Sequence, residues 1–208
     1  MEYLVVLLLF VVFVQTRVME LRRSVVALMA QSVIVACACL LAGLNHGLIH
    51  ALIPFALTLG VKVIFIPTAM LKLIKRITDE REIFSDINVN YSTLAAAAFL
   101  VFGYVLGNRF MLDPMAQDIF AATVMMIMTG LALMVMRKRA ILQICGLITL
   151  ENGIYLLGLI ITEGLPLVVE LGVFLDVLIA VVVLVILTNR MSLSFMTTDT
   201  TVMRKLKG

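Results

Sequence analysis

Charge is what this chain has least of. Aspartate, glutamate, lysine and arginine together make up 14% of its 208 residues, against about 25% in an ordinary soluble domain. Tryptophan is absent, proline occurs four times and cysteine three times. A soluble protein of this length has to cover a large surface with polar groups, so the shortage of charge excludes one. It equally excludes a disordered chain, which needs low hydrophobicity and high net charge. The cysteines are too few for a secreted disulfide scaffold. They also cannot hold an iron–sulfur cluster, which takes four ligands. Cys37 and Cys39 are two apart in an apolar run, too close for the usual zinc pattern and without a histidine or cysteine cluster beside them. Small helix-packing side chains are their ordinary reading. The net charge of +3 is modest, and no basic surface suited to nucleic acid emerges from it.

What fills the chain instead is apolar. Hydrophobic residues make up 63% of it, and the mean hydropathy is +1.17. A membrane-crossing helix needs about 20 mostly apolar residues. Seven candidate spans can be drawn: Glu2 to Gln15 with a possible extension to Met19, Ser24 to Leu44, Leu48 to Leu71, Tyr91 to Gly107, Pro114 to Met136, Ala140 to Thr162, and Leu165 to Thr188. The first has no basic region before it and no small-residue cleavage site directly after it, so it is expected to be retained as a span. The runs are long and unbroken, which argues against the alternating strands of a barrel. Backbone groups in lipid must be satisfied internally, so such runs must be helices. The expected fold is an all-α, polytopic membrane protein. Two parts are expected: residues 1–90, three helices and a cytoplasmic loop, and residues 91–208, the remaining four helices.

Basic residues orient the spans. Arg17, Arg22 and Arg23 lie between spans one and two. Lys72, Lys75, Arg76 and Arg81 lie between three and four, and Arg137, Lys138 and Arg139 between five and six. Arg190, Arg204, Lys205 and Lys207 lie in the tail. The opposite set of connectors holds Arg109 alone. This alternation predicts an N-terminus outside and a cytoplasmic C-terminus, in an inner membrane.

Four charges fall inside spans: Lys62, Glu151, Glu170 and Asp176. Each costs ~2.5–3.5 kcal/mol or more at bilayer depth, so each must face the protein interior, pair or titrate. At ~1.5 Å per residue, Glu151 and Asp176 lie at similar depths on adjacent antiparallel helices. Groups of both signs at one depth are what a proton relay needs, because a proton on one site biases its neighbours. The competing reading is static: Lys62 pairs with an acid and pins helix packing. Thr149, Asn152 and Gln31 are polar neighbours at mid-membrane and His50 lies near the outer start of span three; the ordinary reading of each is a helix-packing hydrogen bond. Gly146, Gly153 and Gly158 allow close helix approach around Glu151. Arg17 and Arg137 are 120 residues apart, as are Gln31 and Glu151, but the two halves share too little else to set this above coincidence.

Residues 137–191 carry recognisable elements: I-L-Q-I-x-G, L-E-N-G and V-E-L-G-x-x-x-D. A K-x-x-x-x-P pattern runs from Lys62 to Pro67, and the chain ends in L-K-G. In these the sequence resembles the hydrogenase 4 component E family, membrane subunits of formate hydrogenlyase-type energy-converting complexes. The last three spans are similar to the K subunit of complex I and the C subunit of Mrp antiporters. The resemblance implies that Glu151 is the first of two membrane carboxylates on a proton route. The second falls at or near Asp176, where the chain has aspartate instead of glutamate and adds Glu170 earlier on the same helix; both positions are candidates. The resemblance also implies partners: antiporter-like and H-type membrane subunits and, through them, nickel–iron and iron–sulfur subunits.

The expectation is therefore a proton-transfer subunit of a complex I-like hydrogenase, embedded in lipid, without a cofactor or catalytic centre of its own. Glu151 and Asp176 are the expected relay carriers, Glu170 an outer carrier or gate, and Lys62 their charge partner. A Mrp-type cation/proton antiporter subunit and a structural scaffold of the membrane arm are the alternatives.

Overall fold

The computed structural model describes residues 2–43, 52, 55–56, 58–75, 89–110 and 113–162, together with positions 178, 181 and 185. It is helical almost throughout, and no β-strand occurs among the described residues. Helix α1 is Glu2–Arg17 and α2 is Leu21–Gly43. A π-helical segment, Leu59–Phe65, runs directly into α3, Ile66–Ile74. Helices α4 (Val89–Arg109), α5 (Pro114–Met136) and α6 (Ala140–Thr162) follow.

Four of these are long and apolar enough to cross a membrane: α2, α4, α5 and α6. The bounds of α5 and α6 coincide with those expected from sequence. At 16 residues, α1 falls short of the ~20 that a span needs. The seventh expected span lies outside the described residues apart from isolated positions; of these, Val181 and Val185 pack on the core.

Helix starts and kinks have local causes. Asp113 caps α5, its carboxylate accepting a bond from the Ala116 N–H, and Pro114 occupies the first helical position, where a missing N–H costs nothing. The π-helical turn precedes Pro67. Proline has no N–H to offer the Val63 carbonyl, and its ring crowds that turn. The helix responds by widening, so that the Ile66 N–H bonds to the Val61 carbonyl five residues back. Thr68 Oγ1 donates to the Ile64 carbonyl, satisfying another acceptor in the same stretch.

Helices α5 and α6 approach through glycine. A Cβ on Gly130 would lie 2.6 Å from the Leu150 nitrogen, and one on Gly146 would lie 2.8 Å from the Gly130 carbonyl oxygen. Backbone therefore packs on backbone, as small residues permit in membrane helices. Two apolar clusters form the interior. One joins Leu21, Val25 and Leu28 of α2 to Ile66 and Met70 of α3 and Ile144 and Ile148 of α6. The other joins Leu8 and Val12 of α1 to Ile34 and Val35 of α2, Met125 and Met126 of α5, and Tyr155 of α6. The first lies toward the end of the bundle that carries Arg22, Lys72 and Arg139. Polar residues occupy the layer between the two. Outward, α1 shows Tyr3, Val6, Leu7, Phe10 and Val14, and α4 shows Tyr91, Leu94, Val101, Phe102 and Val105. Apolar strips of that extent suit lipid rather than water.

Candidate functional site

The site is built on α6 and the π-helical turn. Glu151 is the middle residue of the 23-residue α6, so about 16 Å of helix lies on either side of it. Lys62 is the middle residue of the seven-residue π-helical segment. Both side chains are 2% exposed, and Lys62 Nζ lies 2.5 Å from Glu151 Oε1. The ammonium also donates to Asn152 Oδ1 at 3.1 Å and sits 5.3 Å from the centroid of the Tyr155 ring. Asn152 Nδ2 in turn donates to Ser32 Oγ at 3.3 Å, tying the pair to the middle of α2. An acid, an amide and an aromatic face thus surround one cation. The second carboxylate oxygen, Glu151 Oε2, has no hydrogen-bond partner among the described residues.

A second polar group lies beside this one. Gln15 Nε2 donates to Thr149 Oγ1 at 2.8 Å. The Thr149 hydroxyl lies 2.8 Å from the Cys145 carbonyl and 3.2 Å from Gln31 Oε1. It has one hydrogen, so it donates to one of these acceptors at a time. Gln15, Gln31, Thr149 and Asn152 are all buried. Toward the basic end, Arg137 Nη2 donates to the Thr16 carbonyl at 2.9 Å.

Of the expected site residues, Lys62 and Glu151 are brought together, and the acid that Lys62 pairs with is Glu151. Glu170 and Asp176 lie outside the described residues, as does His50. Gln31, Thr149 and Asn152 join the site as buried hydrogen bonders. Ser32, Tyr155 and Gln15 were not singled out from sequence. Ser32 directly follows Gln31 in an apolar run and was legible there. Gln15, two residues before Arg17 at the end of its helix, reads as an ordinary helix-end polar residue, and nothing in the sequence marks it as buried. No cluster of three or more metal-ligating side chains occurs among the described residues.

Fold and site define a class: a helical protein with four helices apolar and long enough to cross a membrane and a charged pair enclosed at mid-helix. A stretch of 81 residues is 40% identical to an uncharacterized protein of Mycobacterium tuberculosis, and it takes in 39% of this chain and 37% of that protein's length. No family model matches the chain, and no solved structure matches it.

Proposed function

We propose that this chain is a seven-span subunit of a hydrogenase 4-like, energy-converting membrane complex, and that it relays protons through Glu151 and Lys62. The observation that carries this reading is the enclosed pair itself. A carboxylate and an ammonium 2.5 Å apart can exist as ions or, after one proton transfer, as neutral acid and amine. Burial makes each form sensitive to any charge that arrives nearby. Glu151 Oε2 has no hydrogen-bond partner among the described residues, and on this reading a proton arrives on that oxygen while Lys62 holds the other. Asp176 and Glu170 continue the route on the seventh span. The N-terminus lies outside, and the basic connectors face the cytoplasm across the inner membrane. The partners are antiporter-like and H-type membrane subunits, with nickel–iron and iron–sulfur subunits beyond them; redox chemistry belongs to those partners.

A static scaffold is the second reading, and one observation favours it. The Lys62–Glu151–Asn152–Ser32 chain ties three helical segments together, as a helix pin would. Glu151→Gln separates the two. It keeps the shape and removes the titrating group. Under the relay reading, membrane vesicles carrying the assembled complex lose redox-driven proton translocation while the variant still assembles. Normal translocation by the assembled variant refutes the relay. Loss of the assembly itself favours the scaffold. Sodium dependence of the same activity points to a Mrp-type cation subunit.

A further inference from the structure

We infer that Asn152, oriented by Ser32, is a positioning residue that holds the Lys62–Glu151 pair in its ionised form at rest; as a device of the relay, it rests on the reading above. The pair can share one proton in two ways, as ammonium and carboxylate or as amine and carboxylic acid. Taking two ions out of water costs about as much as their attraction returns, so enclosure alone does not choose between the forms. The neighbours do. An ammonium has three N–H donors and no acceptor, whereas an amine carries a lone pair that needs a donor. Glu151, Asn152 and Tyr155 stand at positions i, i+1 and i+4 of α6, within about 100° of one another around the helix. Each turns a negative group to the lysine: Glu151 Oε1 at 2.5 Å, Asn152 Oδ1 at 3.1 Å and the Tyr155 ring with its centroid at 5.3 Å. That set suits an ammonium. Apart from Glu151 itself, none of its members offers a hydrogen to an amine.

The orientation of the amide is what Ser32 supplies. An amide can turn either end to a neighbour, and its nitrogen end toward Lys62 would set donor against donor. Ser32 takes that nitrogen instead: Asn152 Nδ2 donates to Ser32 Oγ at 3.3 Å. Both side chains are 0% exposed, so bulk water does not compete for either end of the amide. A buried amide is costly unless it is hydrogen-bonded, and here both ends are used, the oxygen on Lys62 and the nitrogen on a second helix, α2. The resting site therefore presents a carboxylate. In the relay, Glu151 waits as a base and not as an acid, and Asn152 and Ser32 set that state without exchanging a proton themselves.

The test is an infrared difference spectrum of the full chain in lipid vesicles. Each form is measured against the same form carrying Glu151→Gln, which isolates the carboxylic-acid C=O stretch of Glu151, a band that a carboxylate lacks. The parent is expected to show no such band. Asn152→Leu is close in volume and cannot accept a hydrogen bond. It is expected to move the ratio of ionised to neutral pair about tenfold or more toward neutral, the worth of a hydrogen bond to a charged group, so that the band appears. Ser32→Ala, which leaves Nδ2 without its acceptor, should give a weaker band, and Ser32→Thr, which keeps the hydroxyl, none. A band in the parent, or none in Asn152→Leu, overturns the inference, because a packing role for Asn152 leaves the spectrum unmoved. Should Asn152→Leu not accumulate, Ser32→Ala against Ser32→Thr carries the prediction, and equal spectra overturn it. The spectra need no redox partner, so the relay is judged apart from them. Redox-driven translocation untouched by Glu151→Gln refutes the relay and not the resting form, whereas a band in the parent refutes the resting form and not the relay.

Discussion

Removing Lys62 should cost far more stability than removing Glu151, and removing both should restore much of the loss. At 2.5 Å the gross attraction in the pair is roughly 7 kcal/mol at an effective dielectric of about 20. Against it stands a desolvation penalty of several kcal/mol per ion, so the net worth of the pair is close to zero. Breaking it is another matter. In Lys62→Met the carboxylate keeps its burial and loses its cation. Oε2 has no donor among the described residues, and Asn152 Nδ2 is engaged with Ser32. The expected cost is about 3–5 kcal/mol, a factor of about 10² to 10⁴ in the folded-to-unfolded ratio. In Glu151→Gln the ammonium retains the Asn152 oxygen, the Tyr155 ring and a new amide oxygen, so about 1.5–3 kcal/mol is expected, the worth of a hydrogen bond to a charged group. The double variant removes both charges of the pair and should be more stable than Lys62→Met alone. Reversible unfolding of the full chain in detergent, run as a double-mutant cycle, reads all three values. A Lys62→Met within about 0.5 kcal/mol of the parent, or a double variant no better than Lys62→Met, would refute the reasoning, since a buried carboxylate that loses the cation beside it cannot be free of cost.

Two further predictions rest on the same helices. Gly130→Ala forces a Cβ to within 2.6 Å of the Leu150 nitrogen, which is backbone and cannot step aside. At least ~1–3 kcal/mol of destabilisation is expected, and the same detergent unfolding assay checks it; an unchanged midpoint would mean that α5 and α6 are not packed backbone to backbone. Tyr155→Leu removes the aromatic face toward Lys62 and should lose about 0.5–2 kcal/mol. An unchanged midpoint in the same assay would show that the ring serves as packing volume alone.

The limits of α5 and α6 were legible because each is fixed by a strong local signal. A capping Asp-Pro pair opens α5, and a triple-basic connector separates α5 from α6. Glu151 and Lys62 were legible for a different reason: a charge inside an apolar run stands out. Their meeting was not, because nothing local links residue 62 to residue 151. It depends on the π-helical turn ahead of Pro67, a widening whose extent the sequence does not specify. Gln15 is the opposite case. Its burial comes from the way α1 lies against α2, α4 and α5, which lets its side chain reach Thr149 of α6, and a glutamine two residues from a helix end carries no mark of tertiary position. Helix periodicity offered little help, since hydrophobic residues surround these helices on every side and no polar face reveals which way each one turns.

The layering explains why so few polar residues suffice. Between the two apolar clusters, the middle of α2 contributes Gln31 and Ser32, and the middle of α6 contributes Thr149, Glu151 and Asn152. An ion pair embedded in apolar packing on both sides cannot exchange protons freely with either face. Exchange then depends on whatever polar line reaches it. Among the described residues Gln15, Thr149 and Gln31 form a buried polar group near the pair, on the side of the basic connectors. Access from a single side is a requirement for any relay that is not a leak, because a carrier open to both faces at once would dissipate the gradient it serves. The apolar cluster of Met125, Met126 and Tyr155 is therefore as much a part of the proposed function as the charges are. A polar substitution there, such as Met126→Gln, should uncouple translocation and make vesicles proton-permeable while leaving Glu151 in place. Passive proton influx in the absence of redox turnover measures this directly, and vesicles as tight as the parent's would show that the barrier lies elsewhere.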